Sequence, residues 1–325
     1  MNLSIIVVNW NSVDYLRACL ASVYQTVREI EFEIIVVDNA SGDGCEAMLQ
    51  REYPEARLIA ATRNLGFARA NNVGSLHSQG DVLLFLNPDT VVIGDALEKM
   101  FRWLQEHPSV GALGACLLNT DGSVQQSCVQ PFPTLVNQFV DAHLLRHWFP
   151  RWKLWGTWPL LDPEHPAAEF EVDAISGACF MVRRAVFESV GRFTEEYFMY
   201  SDDLDLSYKV RHAGYSVVCL SDCFVTHHGG GSLSHRDRSF AGVQYRLAMA
   251  QFFRRTRGPL CSAIYRTLVG TAALLRLFLA LGSLPFAASV ERREGLRDIV
   301  TRWRNILWWA VGRNINLEDI GRSHV

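Results

Sequence analysis

Neither common nucleotide fingerprint follows the first apolar run of this 325-residue chain: there is no G-x-G-x-x-G and no G-x-x-x-x-G-K-[ST]. A dinucleotide fold and a P-loop are thereby excluded. Glycine and cations are both missing before Arg17, so the chain also lacks the glycine-rich basic loop that a sugar nucleotidyltransferase would carry after its first strand. Met1 runs straight into the strand-like Leu3-Ser4-Ile5-Ile6-Val7-Val8, with no basic n-region, apolar h-region or small-residue cleavage site. The catalytic part is therefore expected in the cytosol. The eight cysteines (19, 45, 116, 128, 179, 219, 223 and 261) form no framework; scattered through apolar stretches, they suit reduced core thiols. Cys219-x3-Cys223-x3-His227-His228 has ligand residue types but matches no common structural zinc spacing and lacks a second pair.

What is present begins with apolar residues, 49% of the chain, enough to bury one large core or two modest ones. A net charge of −3 conceals an asymmetry. Residues 251–325 hold twelve arginines against five acids, a surplus of seven positive charges that leaves residues 1–250 at −10. Arginines interleaved with tryptophans and apolar runs favour an anionic membrane surface over nucleic acid, because the apolar residues need an acyl layer or a protein groove.

The central stretch is Phe85-Leu86-Asn87-Pro88-Asp89-Thr90. The run Val82–Leu86 reads as a buried strand, and Pro88, lacking a donor, makes Asn-Pro-Asp a turn at its carboxyl end. A carboxylate there either holds a hard divalent cation at the mouth of a sheet or merely caps a turn. Three strand–loop–helix steps precede it: Leu3–Val8 with Asn9-Trp10-Asn11-Ser12 and a helix N-capped by Ser12; Phe32–Val37 with Asp38–Asp43 and a helix from about Gly44 to Arg51; Arg57–Ala60 with Arg63–Phe67 and a helix over Ala68–His77. Four βα steps with short loops predict a doubly wound parallel sheet that brings loops 9–12, 38–43 and 87–90 to one edge.

Beyond it, Asp95 is expected to cap a helix, and Thr120-Asp121-Gly122 to close a hairpin. Residues 131–168 turn irregular and aromatic (Trp148, Trp152, Trp155, Trp158), either a lid that stacks on a sugar or plain cover for the sheet. A small-residue turn at Ser176-Gly177-Ala178 feeds another strand, and Asp202-Asp203-Leu204-Asp205 opens a helix ending near His212. Three acids in four residues exceed what a cap needs, and crowding raises the proton affinity of at least one, as a general base requires. Strand Ser216–Leu220 and His227-His228-Gly229-Gly230-Gly231 follow; a histidine before three glycines lies where backbone can approach a ligand closely.

The ordered strings SIIVVNWNS, VVDNASGD, RNLGFARANN, FLNPDT, SGACFMVRRAVFESVGRF, FMYSDDLDLSYKVRHAGY and THHGGGS resemble the inverting glycosyltransferases of family 2, in particular their rhamnosyltransferase-like branch, over about residues 3–232. The resemblance implies a GT-A fold, a Rossmann-like mostly parallel sheet with helices on both faces, a nucleoside-diphosphate sugar donor and a divalent metal, Mg2+ or Mn2+. It places Asp38 on the nucleotide base with Asn9, Asn64 and Gly66 in the same pocket, and Asn87 and Asp89 at the D-x-D position, Asp89 binding metal. Asn87 replaces the acid kept in other branches. Asp203 would be the base; Asp202 replaces the usual glutamate, which makes either acid a candidate. His227 would be the further metal or diphosphate ligand, with His228 as substitute.

The expected domains are a catalytic domain over 1–235 and a basic, amphipathic helical region over 236–325, introduced by Phe240, Val243, Leu247 and Ala250 at helical spacing. Thr267–Val290 is apolar enough for a span, but Arg276 lies near its middle and Pro285 breaks it. A hairpin on the bilayer, with Trp303, Trp308 and Trp309 following and arginines toward headgroups, is the preferred reading; dimerisation through a helix pair is the other. The expected reaction moves L-rhamnose or another deoxyhexose from a nucleoside-diphosphate donor, dTDP-rhamnose being favoured, to a glycan or polyprenyl-diphosphate-linked acceptor of bacterial surface polysaccharide, at the inner face of the cell membrane. A UDP-hexose-dependent transferase and a silent sugar-nucleotide-binding partner are the alternatives.

Overall fold

The computed structural model describes residues 1–140, 169–229, 237–286 and 289–313. Most of the expected aromatic insertion, with its four tryptophans, and Gly230-Gly231 lie outside the described residues. The chain forms two compact units. One is built on 1–133 with the described residues of 141–198 and 202–232; the other on 134–140, 199–201 and the described residues from 233 onward.

The first unit begins with three parallel β/α steps: β1 (Leu3–Asn9), α1 (Val13–Thr26), β2 (Phe32–Asp38), α2 (Cys45–Glu52), β3 (Arg57–Ala60) and α3 (Phe67–Leu76). Next come β4 (Val82–Leu86), β5 (Thr90–Val92), α4 (Ala96–Glu106), β6 (Val110–Leu118) and β7 (Val129–Gln130). Helix α5 (Leu135–Val140) belongs to the second unit. The first unit continues with β8 (Glu169–Glu171), β9 (Ala174–Ile175), β10 (Cys179–Arg183), α6 (Arg184–Ser189), α7 (Asp202–His212) and β11 (Ser216–His227). Every residue of β1 and β4 is buried, as strands covered on both faces must be.

The sheet runs β3-β2-β1-β4-β10-β6-β11-β5, with β8 on β11. Strands β1–β4 are mutually parallel, β6 is parallel to β11, and β10 is antiparallel to both β4 and β6. The order β3-β2-β1-β4 matches the expected winding, whereas β4 and β6 are parted by β10, some 90 positions later than β4. Its register pairs Cys179 with Leu86, which brings the Gly177-Ala178 turn beside Asn87. Under this junction Phe193 packs edge-on against Phe85 and Phe187, at 4.8 and 5.6 Å between centroids.

Two local expectations need correction. Ser12 and Asp95 occupy N-cap positions, yet neither side chain caps its helix. The Ser12 hydroxyl donates to Asn9 Oδ1 (2.9 Å), and Asp43 Oδ2 from the next loop accepts the Val13 N–H (2.9 Å). The hairpin at Asp121-Gly122 is only a tight turn with a single bridge, Leu118 to Val124, because the returning segment leaves the sheet and Gln125 turns back onto Leu117 O.

In the second unit, α8 (Asp237–Ser283) bends at Gly258-Pro259, where Gly258 has φ 86°, and α9 (Val290–Ala310) packs against it. Contacts cross the bend: Ser262 donates to Ala250 O (2.8 Å), and Phe253 stacks near Tyr265 at 5.1 Å. Pro285 lies in the single 3-10 turn that follows α8. The three tryptophans do not share an outward face. Trp303 and Trp309 are buried, and Trp308 alone of the three is exposed, since α9 spends its aromatic side on α8. Residues 241–286 are long and apolar enough to cross a membrane by composition.

Candidate active site

Three clusters ring the carboxyl ends of β1, β2 and β4. The first joins the loops after β1, β2 and β3. Asn9, wholly buried, donates through its amide to Asp38 Oδ1 (3.0 Å), Ser41 Oγ (3.2 Å) and Asp43 Oδ2 (3.2 Å). Its part is therefore to lock the two loops together, a more indirect role than lining a pocket. Asp38 is partly open and also accepts the Ser41 N–H. Asn39, which sequence reading passed over, clamps the third loop: its Oδ1 accepts Leu65 N–H (2.8 Å) and its amide donates to Asn64 Oδ1 (2.9 Å). Asn64 Oδ1 also accepts Gly66 N–H, leaving the Asn64 amide protons without a protein partner among the described residues. Gly66 is required by its backbone: φ is 78°, and a Cβ there would meet Phe198 O at 2.5 Å.

The second cluster is the Asn-Pro-Asp turn. Its shape is fixed from below, where Thr90 Oγ1 donates to Asn87 O (2.7 Å) and the Cys19 thiol lies 3.6 Å from the same oxygen. Burial pushes that thiol up to about 12, so it remains protonated. Because β11 pairs antiparallel with β5, His227 comes opposite Thr90 and its Nε2 stands 3.3 Å from Asp89 Oδ1 and 3.5 Å from Asn87 Nδ2. Gln125 holds His227 by two bonds, one to its backbone and one to its ring: its Nε2 donates to His227 O (2.6 Å) and its Oε1 faces His227 Nδ1 (2.9 Å). The first bond orients the amide, so in the neutral ring the proton sits on Nδ1 and the lone pair on Nε2. Nothing in the sequence marks Gln125. His228 turns elsewhere, its ring 5.1 Å from Tyr15 while its N–H donates to Asp89 O (2.9 Å).

The third cluster opens α7. Asp203 Oδ2 accepts the Gly177 N–H (2.9 Å) and Oδ1 the Leu204 N–H (2.7 Å); Ala178 O in turn accepts the Asn87 N–H (3.0 Å). This acid and the Asn-Pro-Asp turn are thus bound to the same two-residue turn. Burial raises the Asp203 pKa, and the two backbone donors oppose it by favouring the anion. Asp202 is enclosed, 4% exposed, with Oδ2 lacking a hydrogen-bond partner among the described residues; burial first, then the Asp203 charge, push it up to about 8. Tyr200 and Ser201 precede the pair at φ 70° and 59°, a left-handed strain found at functional sites. The third acid is structural: Asp205 accepts from Thr194 Oγ1 (2.6 Å) and pairs with Lys209 (3.4 Å).

For a divalent cation the donor set fits. A carboxylate oxygen and an imidazole lone pair converge across 3.3 Å, an arrangement that repels unless a cation or proton lies between them. No group of three or more His, Cys, Asp or Glu residues is placed to hold a metal ion among the described residues. Few protein donors with the shell completed by substrate phosphates is how Mg2+ sites are built, and the carboxylate of Asp89 suits Mg2+ or Mn2+. The Cys219–His228 cluster does not converge, since Cys219 Sγ faces Cys128 Sγ at 3.9 Å while His227 faces Asp89.

The model of glycosyl transferase family 2 matches residues 4–191. The chain belongs to that family. The match covers the first two clusters except His227 and His228, and ends before Asp202 and Asp203. This family-2 glycosyltransferase is 29% identical over 283 residues to the N-acetylglucosaminyl-diphospho-decaprenol L-rhamnosyltransferase of Mycobacterium tuberculosis, covering 84% of this chain and 91% of that one. It is 24% identical over 262 residues to the rhamnosyltransferase WbbL of Escherichia coli, covering 77% and 90%. Among solved structures, the mannosyltransferase PcManGT from Pyrobaculum calidifontis, in complex with GDP-Man and Mn2+, superimposes with a TM-score of 0.53 at 18% identity, covering 95% of this chain and 86% of that one. The expected fold and the resemblance to family 2 thus stand: a GT-A glycosyltransferase with a C-terminal apolar helix.

Proposed function

We propose that this glycosyltransferase moves a deoxyhexose, L-rhamnose from dTDP-rhamnose, to a hydroxyl of a glycan or polyprenyl-diphosphate-linked acceptor, with inversion at the anomeric carbon. Asp38, held by Asn9, takes the nucleotide base, and the amide protons of Asn64, without a protein partner among the described residues, offer further donors in that cluster. Asp89 and His227 Nε2 would hold Mg2+ or Mn2+; when bound, the cation neutralises charge on the departing diphosphate. Asp203 accepts the acceptor hydroxyl's proton as that oxygen bonds to the anomeric carbon, while the bond to the diphosphate breaks and its electron pair leaves with the nucleotide. Asp202, pushed up to about 8 by burial and then by the Asp203 charge, is the lesser candidate, because a base must begin as an anion.

One chain of contacts carries this reading: Asp203 to Gly177, and Ala178 to Asn87, which ties the base to the turn bearing Asp89. Location is part of the proposal. The catalytic domain, 1–235, works in the cytosol while the C-terminal region, 236–325, rests on the inner face of the cell membrane. A helix-mediated homo-oligomer is the other use of that region, and nucleic acid is not a partner.

A thermal-shift panel of dTDP-, UDP- and GDP-sugars with and without Mn2+ tests the donor. A ligand at a hundredfold its Kd stabilises by about 2.7 kcal/mol, so dTDP-rhamnose with Mn2+ should give the largest shift. Asp203→Asn should keep that shift and lose transfer. A larger shift with a UDP-hexose moves the donor assignment to that class; donor binding without any hydrolysis or transfer makes the protein a silent partner.

A further inference from the structure

The second unit carries a surplus of positive charge. From Arg238 through Val290 there are seven arginines, Arg238 included, and no acidic residue. Three guanidiniums from this unit converge on one ring: Arg246, Arg276 and Arg302 stand 5.3, 4.4 and 5.6 Å from the centroid of Trp303. They come from both sides of the α8 bend and from α9, so tertiary packing alone assembles them. The ring attracts cations, but it carries no net charge and cannot cancel three. None of the three is ion-paired with an acid among the described residues. Arg246 donates to Gly242 O (2.7 Å), whereas the Nε of Arg302 is buried with no hydrogen-bond partner among the described residues. Burial, and beyond it the charges of Arg276 and Arg302, pull the Arg246 pKa down.

Apolar surface adjoins this cluster. Leu274, Leu275, Phe278 and Leu279 are all more than half exposed, and they recur every four residues along one face of α8. At 3.6 residues per turn, Arg276 projects about 60° from Leu279, on the border between that stripe and the buried Ala273 and Ala280. Unbalanced guanidiniums beside a strip of leucines and phenylalanine call for a ligand that is anionic at one end and hydrocarbon at the other.

We propose that Arg246, Arg276 and Arg302 form a site for the phosphate of an anionic membrane lipid, whose acyl chain lies along the Leu274–Leu279 stripe. It rests on the membrane-surface part of the function proposed above and not on the transfer chemistry. Donor hydrolysis without acceptor therefore tests the catalytic reading separately.

The test is sedimentation of the full chain with phosphatidylcholine vesicles carrying phosphatidylglycerol. The wild type should sediment with these and stay free with phosphatidylcholine alone; failure to bind either overturns the site. A basic residue at an anionic surface is worth roughly fivefold in partitioning, so Arg276→Gln with Arg302→Gln should weaken it about 30-fold or more. The charge-matched pair Arg297→Gln with Arg304→Gln, exposed on the same α9, should lose far less; equal loss means diffuse attraction and overturns the site. Should the Arg302 replacement fail to fold, Arg276→Gln alone, at an exposed position, should still lose more than Arg304→Gln alone. Millimolar inorganic pyrophosphate should release the bound protein more than sodium chloride of equal ionic strength does. Equal release by both would also overturn the proposal.

Discussion

Replacing Gln125 by leucine removes the acceptor that keeps the proton on His227 Nδ1 and the donor that holds His227 O. Without the acceptor, the imidazole populates both tautomers and turns, and part of the population presents a proton where Asp89 Oδ1 waits at 3.3 Å. Loss of such an outer partner typically weakens metal affinity by about 10- to 100-fold, or roughly 1.4–2.7 kcal/mol. The lost bond to the His227 carbonyl adds about 1 kcal/mol of destabilisation, which lowers Tm without touching metal preference. Gln125→Glu separates the two effects. It restores an acceptor for Nδ1–H but cannot donate to the carbonyl, so its Mn2+ half-saturation should stay within about threefold of wild type. The measurement is the Mn2+ dependence of the donor-induced thermal shift, which needs no turnover. A folded Gln125→Leu with unchanged half-saturation would refute the argument, as would equal weakening in both variants.

Two further outcomes follow from the site. Asp202 has its folded pKa raised to about 8 by burial and then by Asp203, against an ordinary aspartate when unfolded. Between these values the native state holds the extra proton, so stability is fully present below the unfolded pKa and is lost as pH rises toward 8. Asp202→Asn, which mimics the protonated acid, should flatten the fall in Tm between pH 5 and pH 8, and parallel curves would sink the assignment. At the first loop, Asp43→Ala should cost about 1–2 kcal/mol by chemical denaturation, since Asp43 caps α1, whereas Ser12→Ala should cost less. The reverse order would return the cap to Ser12.

Much of the first unit is legible in the letters because its rules are local. Continuous apolar runs ending in polar turns mark β1, β2 and β4, and short βα connections force them parallel, so Asp38 and Asp89 had to reach one edge. The Asn-Pro-Asp turn is legible for the same reason: proline cannot continue the strand. The role of Asp205 was not, since its partners Thr194 and Lys209 are set by how α7 packs. Nor was the cap of α1, because a serine at the right position is outcompeted by a carboxylate 30 residues away.

By itself the sequence determined the strand–helix alternation, the buried runs, the polar edge and the imbalance of charge in the last quarter, all consequences of backbone chemistry and solvent preference acting over a few residues. Only the tertiary structure decided that β10 enters between β4 and β6, and with it that Gly177 hands Asp203 to the turn bearing Asp89. It alone chose Gln125 to fix the proton on His227, and gathered three arginines around Trp303. Pairings between distant segments depend on which surfaces fit once the core has closed, and no local periodicity encodes that fit.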